Sequence, residues 1–322
     1  MPRSLSALRA RPYAFALVLV VALVVANAVI RPSFLAPAQW PALLGTLAPF
    51  AILGVASTPP VLGGGGVDLS VGPLATVVNC VLVSVLMPHG LGGPLVAIPL
   101  LLLLGLVVGL INGVLVAVVR LDPVIVTLGS LFVLTGVALK VAATPRDAGQ
   151  KQNWTAGLAG LMGGWFPGAV LTMAAPALVW LALRRTAFVR NLYAVGGDDA
   201  ASFSAGVNVT AVRIGAYALA GLFAAIGGIA LTALIQSSDA SLGTTYALIA
   251  LAAVSLGGTS FAGGTGGVLG PFLGACGIFL LQELLSASGA SSNYVQLTYG
   301  VLLVVGVVLS ATLVRNKREV AA

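Results

Sequence analysis

The sequence predicts an all-α, polytopic membrane protein of about ten transmembrane helices. Three observations carry that prediction. Of its 322 residues, 59% are hydrophobic and only 7% are charged, whereas soluble domains carry about 25% charged residues. Its apolar runs repeatedly approach the roughly 20 residues that a helix needs to cross a bilayer. Glycine occurs 41 times, as expected where membrane helices pack through small residues. Nothing between the spans is long enough to be a soluble domain, so residues 1–322 read as one transmembrane domain.

The first span, 14–30, follows Arg3, Arg9 and Arg11. That basic start, the apolar run and Ala26-Asn27-Ala28 mimic a secretory signal, but the run continues to Ile30, which favours a retained helix over cleavage. Spans follow at 42–57, 69–87, 94–119 and 123–143, then at 167–183, 212–235, 246–256, 268–286 and 295–314. The eighth is short: it rises only about 16 Å against a hydrocarbon core of about 30 Å. It either extends into its flanks or crosses only in part. Between the fifth and sixth spans, residues 144–166 carry Trp154 and Trp165. Tryptophan favours the membrane–water boundary, which predicts a short surface helix on the external side.

The formal net charge of +7 would suggest nucleic-acid binding in a soluble chain, but its placement has a simpler cause. Arg3, Arg9, Arg11, Arg120, Arg184, Arg185, Arg190, Arg213, Arg315, Lys317 and Arg318 fall on one side of a ten-span arrangement. Only Arg31, Lys140, Arg146 and Lys151 fall on the other. The positive-inside rule puts the first group, and with it both termini, in the cytoplasm of an inner-membrane protein. Two glycine-rich breaks, Gly63-Gly64-Gly65-Gly66 and the stretch 257–267, lie on that side. Irregular backbone at such depth is tolerated where it is buried in protein or lines a cavity.

Enzyme chemistry finds no residues to use. The three lysines follow Leu139, Gln150 and Asn316, so the Gly-Lys-Ser/Thr of a phosphate-binding loop is absent. The single histidine, His89, sits in a Pro/Gly turn with no metal-ligand cluster and no Gly-x-Ser-x-Gly elbow to serve. Cys80 and Cys276 lie inside apolar runs as small packing residues. Catalytic, cofactor and metal sites are therefore not expected, and uphill work requires a partner or a coupled ion.

Charged residues within or beside the spans are few: Asp68, Asp122, Lys140, Asp239 and Glu283. Asp68 is the most informative, because it stands where a glycine break meets a helix. It can cap that helix's first turn and pin the break, or contact a solute or ion directly. Lys140 can snorkel from a helix end, and Glu283, one turn from a span end, reads as solvated. Asn79, Asn112, Thr127, Ser130 and Thr232 suit hydrogen bonds between helices. Together with Asp68 and Ser70, the residues Asn79, Asn112, Thr127 and Ser130 could line a route for a polar solute.

The sharpest local signal is the central cytoplasmic loop. After Arg190-Asn191-Leu192-Tyr193-Ala194-Val195-Gly196-Gly197 come Asp198, Asp199, Ala200, Ala201, Ser202, Phe203, Ser204, Ala205 and Gly206. Asp198 is a good N-cap, Asp199 suits the positive end of the helix dipole, and Gly206 is a natural stop. A helix of about two turns is marginal alone, so something must hold it. Phe203 can be a knob for a partner's groove, or the helix can pack only on its own bundle.

These residues resemble the ribose/xylose/arabinose/galactoside permease family of binding-protein-dependent ABC importers, whose members read Arg-Asn-x-Tyr-Ala-x-Gly-Gly-Asn-Glu-x-Ala-Ala near 190–201. Further agreement comes from Gly66-Val67-Asp68-Leu69-Ser70-Val71-Gly72, Val126-Thr127-Leu128-Gly129 and Gly257-Gly258-Thr259-Ser260 with its following glycines. The resemblance implies a fold similar to the vitamin B12-type (type II) permeases. It also implies a second permease subunit, as homodimer or heterodimer, and a cytoplasmic ABC ATPase docked on the 198–206 helix. A periplasmic or lipid-anchored binding protein would deliver a sugar or similar small polar solute. One departure stands out: Ala247 and Ile249 replace acidic residues common in the family. The competing reading is an ion-coupled secondary transporter or facilitator without an ATPase, but its acidic groups would be expected near mid-membrane rather than at span ends.

Overall fold

A computed structural model describes residues 13–149 and 153–289, together with 294, 297–301 and 304. Among the described residues the regular structure is helical apart from a two-stranded antiparallel ribbon, β1 Leu161–Met162 and β2 Phe166–Pro167. The helices are α1 Ala14–Ile30, α2 Trp40–Ala56, α3 Thr58–Leu62, α4 Val71–Val81, α5 Pro94–Ala117, α6 Pro123–Val141 and α7 Thr155–Ala159. They continue as α8 Ala169–Leu183, α9 Ala187–Gly197, α10 Asp199–Ser204, α11 Val209–Ile235, α12 Gly243–Leu256 and α13 Leu269–Ala287. A π-helical turn, Leu82–Leu86, prolongs α4. By length and composition five helices can cross a membrane, or six if α8 and α9 count as one bent span. The predicted tenth span, 295–314, and the basic residues Arg3, Arg9, Arg11, Lys151, Arg315, Lys317 and Arg318 fall largely or wholly outside the described residues.

Burial separates inner from outer helices. In their most apolar stretches α11 is 78% buried and the continuous α2–α3 helix 72%, whereas α5 and α6 are each 22% buried. An apolar helix buried all round belongs to a core, and one left open must face lipid or another subunit. Close approach at the centre is achieved by glycine. A Cβ on Gly109 would stand 2.3 Å from the Tyr217 carbonyl oxygen, and one on Gly105 would stand 2.3 Å from that of Gly221. The glycines of α5, spaced by four, thus let its backbone lie directly on α11.

Several sequence expectations are corrected. The central loop, read as helical only from Asp198, already forms a helix over Ala187–Gly197, α9, turned 86° from α8. The eighth span begins earlier, at Gly243, but at 14 residues it still rises only about 21 Å. Glu283 is not merely solvated; it pairs with Arg31 at 3.4 Å. The short helix expected between the fifth and sixth spans, α7, is tucked inward, with Thr155 and Leu158 buried, because Gly45 of α2 leaves room for the Ala159 backbone. The Trp154 indole N–H donates to the Gly92 carbonyl at 2.7 Å and ties this loop down.

Candidate functional site

The site begins with α9, which is amphipathic. Val189, Leu192 and Val195 recur along one face and are buried. Leu192 and Val195 pack with Leu62 of α3 and with Val212 and Ala216 of α11. At its end the backbone turns extended at Asp198, whose carboxylate accepts the Ala201 N–H at 2.9 Å and caps α10. The stop is equally local. Gly206 adopts φ +84, its N–H reaches the Phe203 carbonyl at 2.9 Å, and the Val207 N–H reaches Ser202 at 3.0 Å. This left-handed closure satisfies carbonyls that the short helix would otherwise leave open.

α10 is held on one side and free on the other. Ser202 is buried, and Asp199 pairs with Arg213 of α11 at 3.0 Å. Asp198, Asp199, Ala200 and Ala201 are exposed, and the Phe203 ring is 73% exposed. A cleft of about 750 Å³ separates Phe203 from the α5–α6 turn, where Arg120 and Asp122 stand. Arg120 holds a left-handed backbone, φ 62, unusual for a residue other than glycine.

The root of α10 is where three glycine-rich segments meet. A Cβ on Gly196 would lie 1.8 Å from the Leu62 carbonyl oxygen and 2.5 Å from the Gly264 nitrogen. The Gly264 N–H in turn donates to Leu62 at 3.0 Å. Gly64, Gly263 and Gly264 all take positive φ at this junction. Two tyrosines secure it: the Tyr193 hydroxyl donates to the Gly266 carbonyl at 3.1 Å, and Tyr217 donates to Gly65. Burial pushes the Tyr193 phenol above its ordinary pKa and nearby Arg184 pulls it partly back, so it stays a donor. Both breaks flagged in the sequence therefore touch the segment that carries α10, by backbone contact at Gly196 and by the side chains of Leu192 and Tyr193.

Behind the first break lies a chain of polar contacts. Asp68 is buried and does not cap α4 as expected. Its carboxylate accepts the Ser70 N–H at 2.9 Å and the Ser70 hydroxyl at 2.6 Å, closing a turn one step earlier. Two residues of separation place Ser70, not Asp68, at the helix start, and Ser70 makes no side-chain cap bond. Asn112 of α5 donates to the Ser70 hydroxyl at 2.9 Å, and Ser130 of α6 donates to Asn112. Thr127 faces the carbonyls of Pro123 at 2.8 Å and Val67 at 3.2 Å. Asp68, Ser70, Asn112, Thr127 and Ser130 are thus brought together.

Asn79 is apart. It donates to Thr232 at 3.0 Å and to the Ser237 carbonyl at 2.9 Å near the far end of α4, and it receives the Asp239 N–H at 3.1 Å. Sequence reading missed Tyr193 and Tyr217. An isolated tyrosine beside a glycine run carries no signal until the runs are seen to converge.

Similarity to known proteins follows the same stretch of chain. Residues 42–307 match the family model described as the permease component of the branched-chain amino acid transport system. The chain is 36% identical to the ribose import permease of Escherichia coli K12, over 84% of this chain and 83% of that protein. It is 34% identical to the ribose import permease of Bacillus subtilis strain 168, over 89% of each. To the fructose import permease of Rhizobium meliloti the identity is 31%, over 95% of this chain and 86% of that protein. No solved structure matches the chain. It is therefore a multi-pass, non-catalytic membrane component and belongs to the family of branched-chain amino acid transport system permease components.

Proposed function

We propose that the chain is the permease subunit of a bacterial ABC importer and forms the translocation pathway for a sugar or related small polar solute. The carrying observation is the exposed, capped α10 with Phe203 outward, rooted by Gly196 against both glycine breaks. A separate cytoplasmic ATPase grips α10. Its stroke passes through Gly196 and Gly264 to the breaks before α4 and α13, with no long side chain between to absorb it. The sugar class is preferred to the amino acids of the family's description because relatives named for ribose and fructose match along most of the chain. A periplasmic or lipid-anchored binding protein delivers the solute to the opposite face.

The residues 1–322 act as one domain of ten spans, on the vitamin B12-type plan, with both termini cytoplasmic. Arg120 and Arg213 line the cleft beside α10, and Arg184, Arg185 and Arg190 lie where α8 turns into α9 just before it in the chain, which supports that orientation. A second permease subunit faces α6. There Phe132 and Val133 are exposed, and Gly129 and Gly136 have open space where a Cβ would stand. Asp68, Ser70, Asn112, Thr127 and Ser130 serve the pathway as a brace that ties the first break to α5 and α6. Ala247 and Ile249 are buried in α12, so the carboxylates common in the family are replaced by apolar packing beside Gly72 of α4. The solute this chain carries therefore meets fewer charges there.

The test replaces Phe203 and Ala201 together by aspartate. Both are exposed, and such surface changes typically alter stability by less than about 0.5 kcal/mol. The ATPase is expected to be lost on co-purification while the permease keeps its membrane abundance. Co-purification at the unmodified level would remove α10 as the grip.

A further inference from the structure

A groove of about 980 Å³ runs between the start of α1, α2, the end of α8 and the start of α13. Its floor is apolar, formed by Ile52, Val55, Met173 and Pro176. Its mouth opens sideways past Leu181 and Leu269, which are 50% and 53% exposed. Leu178, on the same outer side of α8, is 62% exposed, so this side of the molecule faces hydrocarbon.

The groove is polar at one end only. Arg184 and Arg190 line it where α8 turns into α9, and both are exposed. Neither pairs with a carboxylate among the described residues. The acids nearest in sequence are committed elsewhere, Asp198 to its helix cap and Asp199 to Arg213. Trp180 and Tyr193 flank the arginines, as amphipathic rings do at headgroup level.

An apolar trough open to lipid, with two arginines unpaired among the described residues at the cytoplasmic border, has the charge and shape of a two-part ligand. Guanidinium groups match phosphate oxygens in geometry as well as charge. Basic pockets between spanning helices on this side of a membrane take anionic headgroups. A transported polar solute fits poorly, since the floor offers it no hydrogen-bonding side chain.

We propose that this groove binds an anionic phospholipid of the inner leaflet, its acyl chains on α2 and its phosphate between Arg184 and Arg190. The proposal rests on the orientation given under the proposed function. Through Tyr193, which also holds Gly266, the bound lipid would steady α9 at the junction that carries α10.

The full-length chain, purified with its ATPase and stripped of lipid, is titrated with phosphatidylglycerol or phosphatidylcholine, and retained lipid is counted by native mass spectrometry. Phosphatidylglycerol should be preferred. Arg184→Gln with Arg190→Gln should weaken it about twenty-fivefold, about fivefold for each arginine, and weaken the zwitterionic phosphatidylcholine far less, so that the preference is lost. Ala177→Trp, on an exposed position lining the groove, should weaken both lipids. Equal retention of the two lipids by the unmodified chain, or an unaltered preference in the double variant, overturns the proposal. So does a rise in both lipids on deleting residues 2–12, which would give the groove to that segment. Retained ATPase in the same preparations reads the coupling role separately, so loss of lipid preference with ATPase intact sinks only this inference.

Discussion

Asp68 shows how far single residues can be understood on their own. Its placement between a glycine break and a helix marks it as special, but its partners come from three segments of chain. Ser70 is local and legible; Asn112 and Ser130 reach it only because α5 and α6 fold beside α4. Asparagine at 68 can still accept the Ser70 N–H and close the same turn, so folding should survive. The Ser70 hydroxyl then meets an amide oxygen in place of the carboxyl, and the second carboxyl oxygen is replaced by an NH2 donor. Asp68→Asn is expected to lower solute uptake about tenfold, within the usual range of coupling energies, with membrane abundance and ATPase co-purification unchanged. Normal uptake by the variant would take Asp68 out of the mechanism. Asp198 and Gly206 were the more readable residues, because cap and stop chemistry depends on neighbours within one turn.

At the scale of elements, the first nine apolar runs were readable as helices to within a few residues because length and composition decide them, while 295–314 lies largely outside the described residues. α9 was not read as a helix, although Val189, Leu192 and Val195 carry its period. The arginines around it and the Gly196-Gly197 pair have the composition of a loop, and only packing on α3 and α11 overrides that. The two glycines then part ways. A Cβ on Gly196 meets the Leu62 backbone, which cannot rotate aside, while one on Gly197 meets nothing within 4 Å. Gly196→Ala should cost about 1–3 kcal/mol as an overpacked site and reduce both ATPase retention and uptake. Gly197→Ala should be neutral or gain up to about 1 kcal/mol in helix propensity. Thermal unfolding and co-purification of the two variants side by side check the contrast. Equal behaviour would mean that the junction is not a rigid contact.

For the whole molecule, a membrane class was evident from composition, and four motifs in order pointed to the permease family. What was not readable is the meeting of residues 62–66, 193–197 and 263–266 at one place, since nothing local in any of them names the others. Under the proposed function that meeting gives the short helix a mechanical meaning, since force applied at Phe203 would reach both breaks through the contacts of Gly196 and Gly264. The account stands on α10 lying in the cytoplasm and being covered by the ATPase. The most direct test is a Phe203→Cys variant with Cys80 and Cys276 replaced by alanine, labelled by a membrane-impermeant maleimide. Labelling is predicted in inverted vesicles and not in intact cells, and it should be blocked when the ATPase is bound. Labelling from outside the cell, or labelling indifferent to the ATPase, would contradict the account.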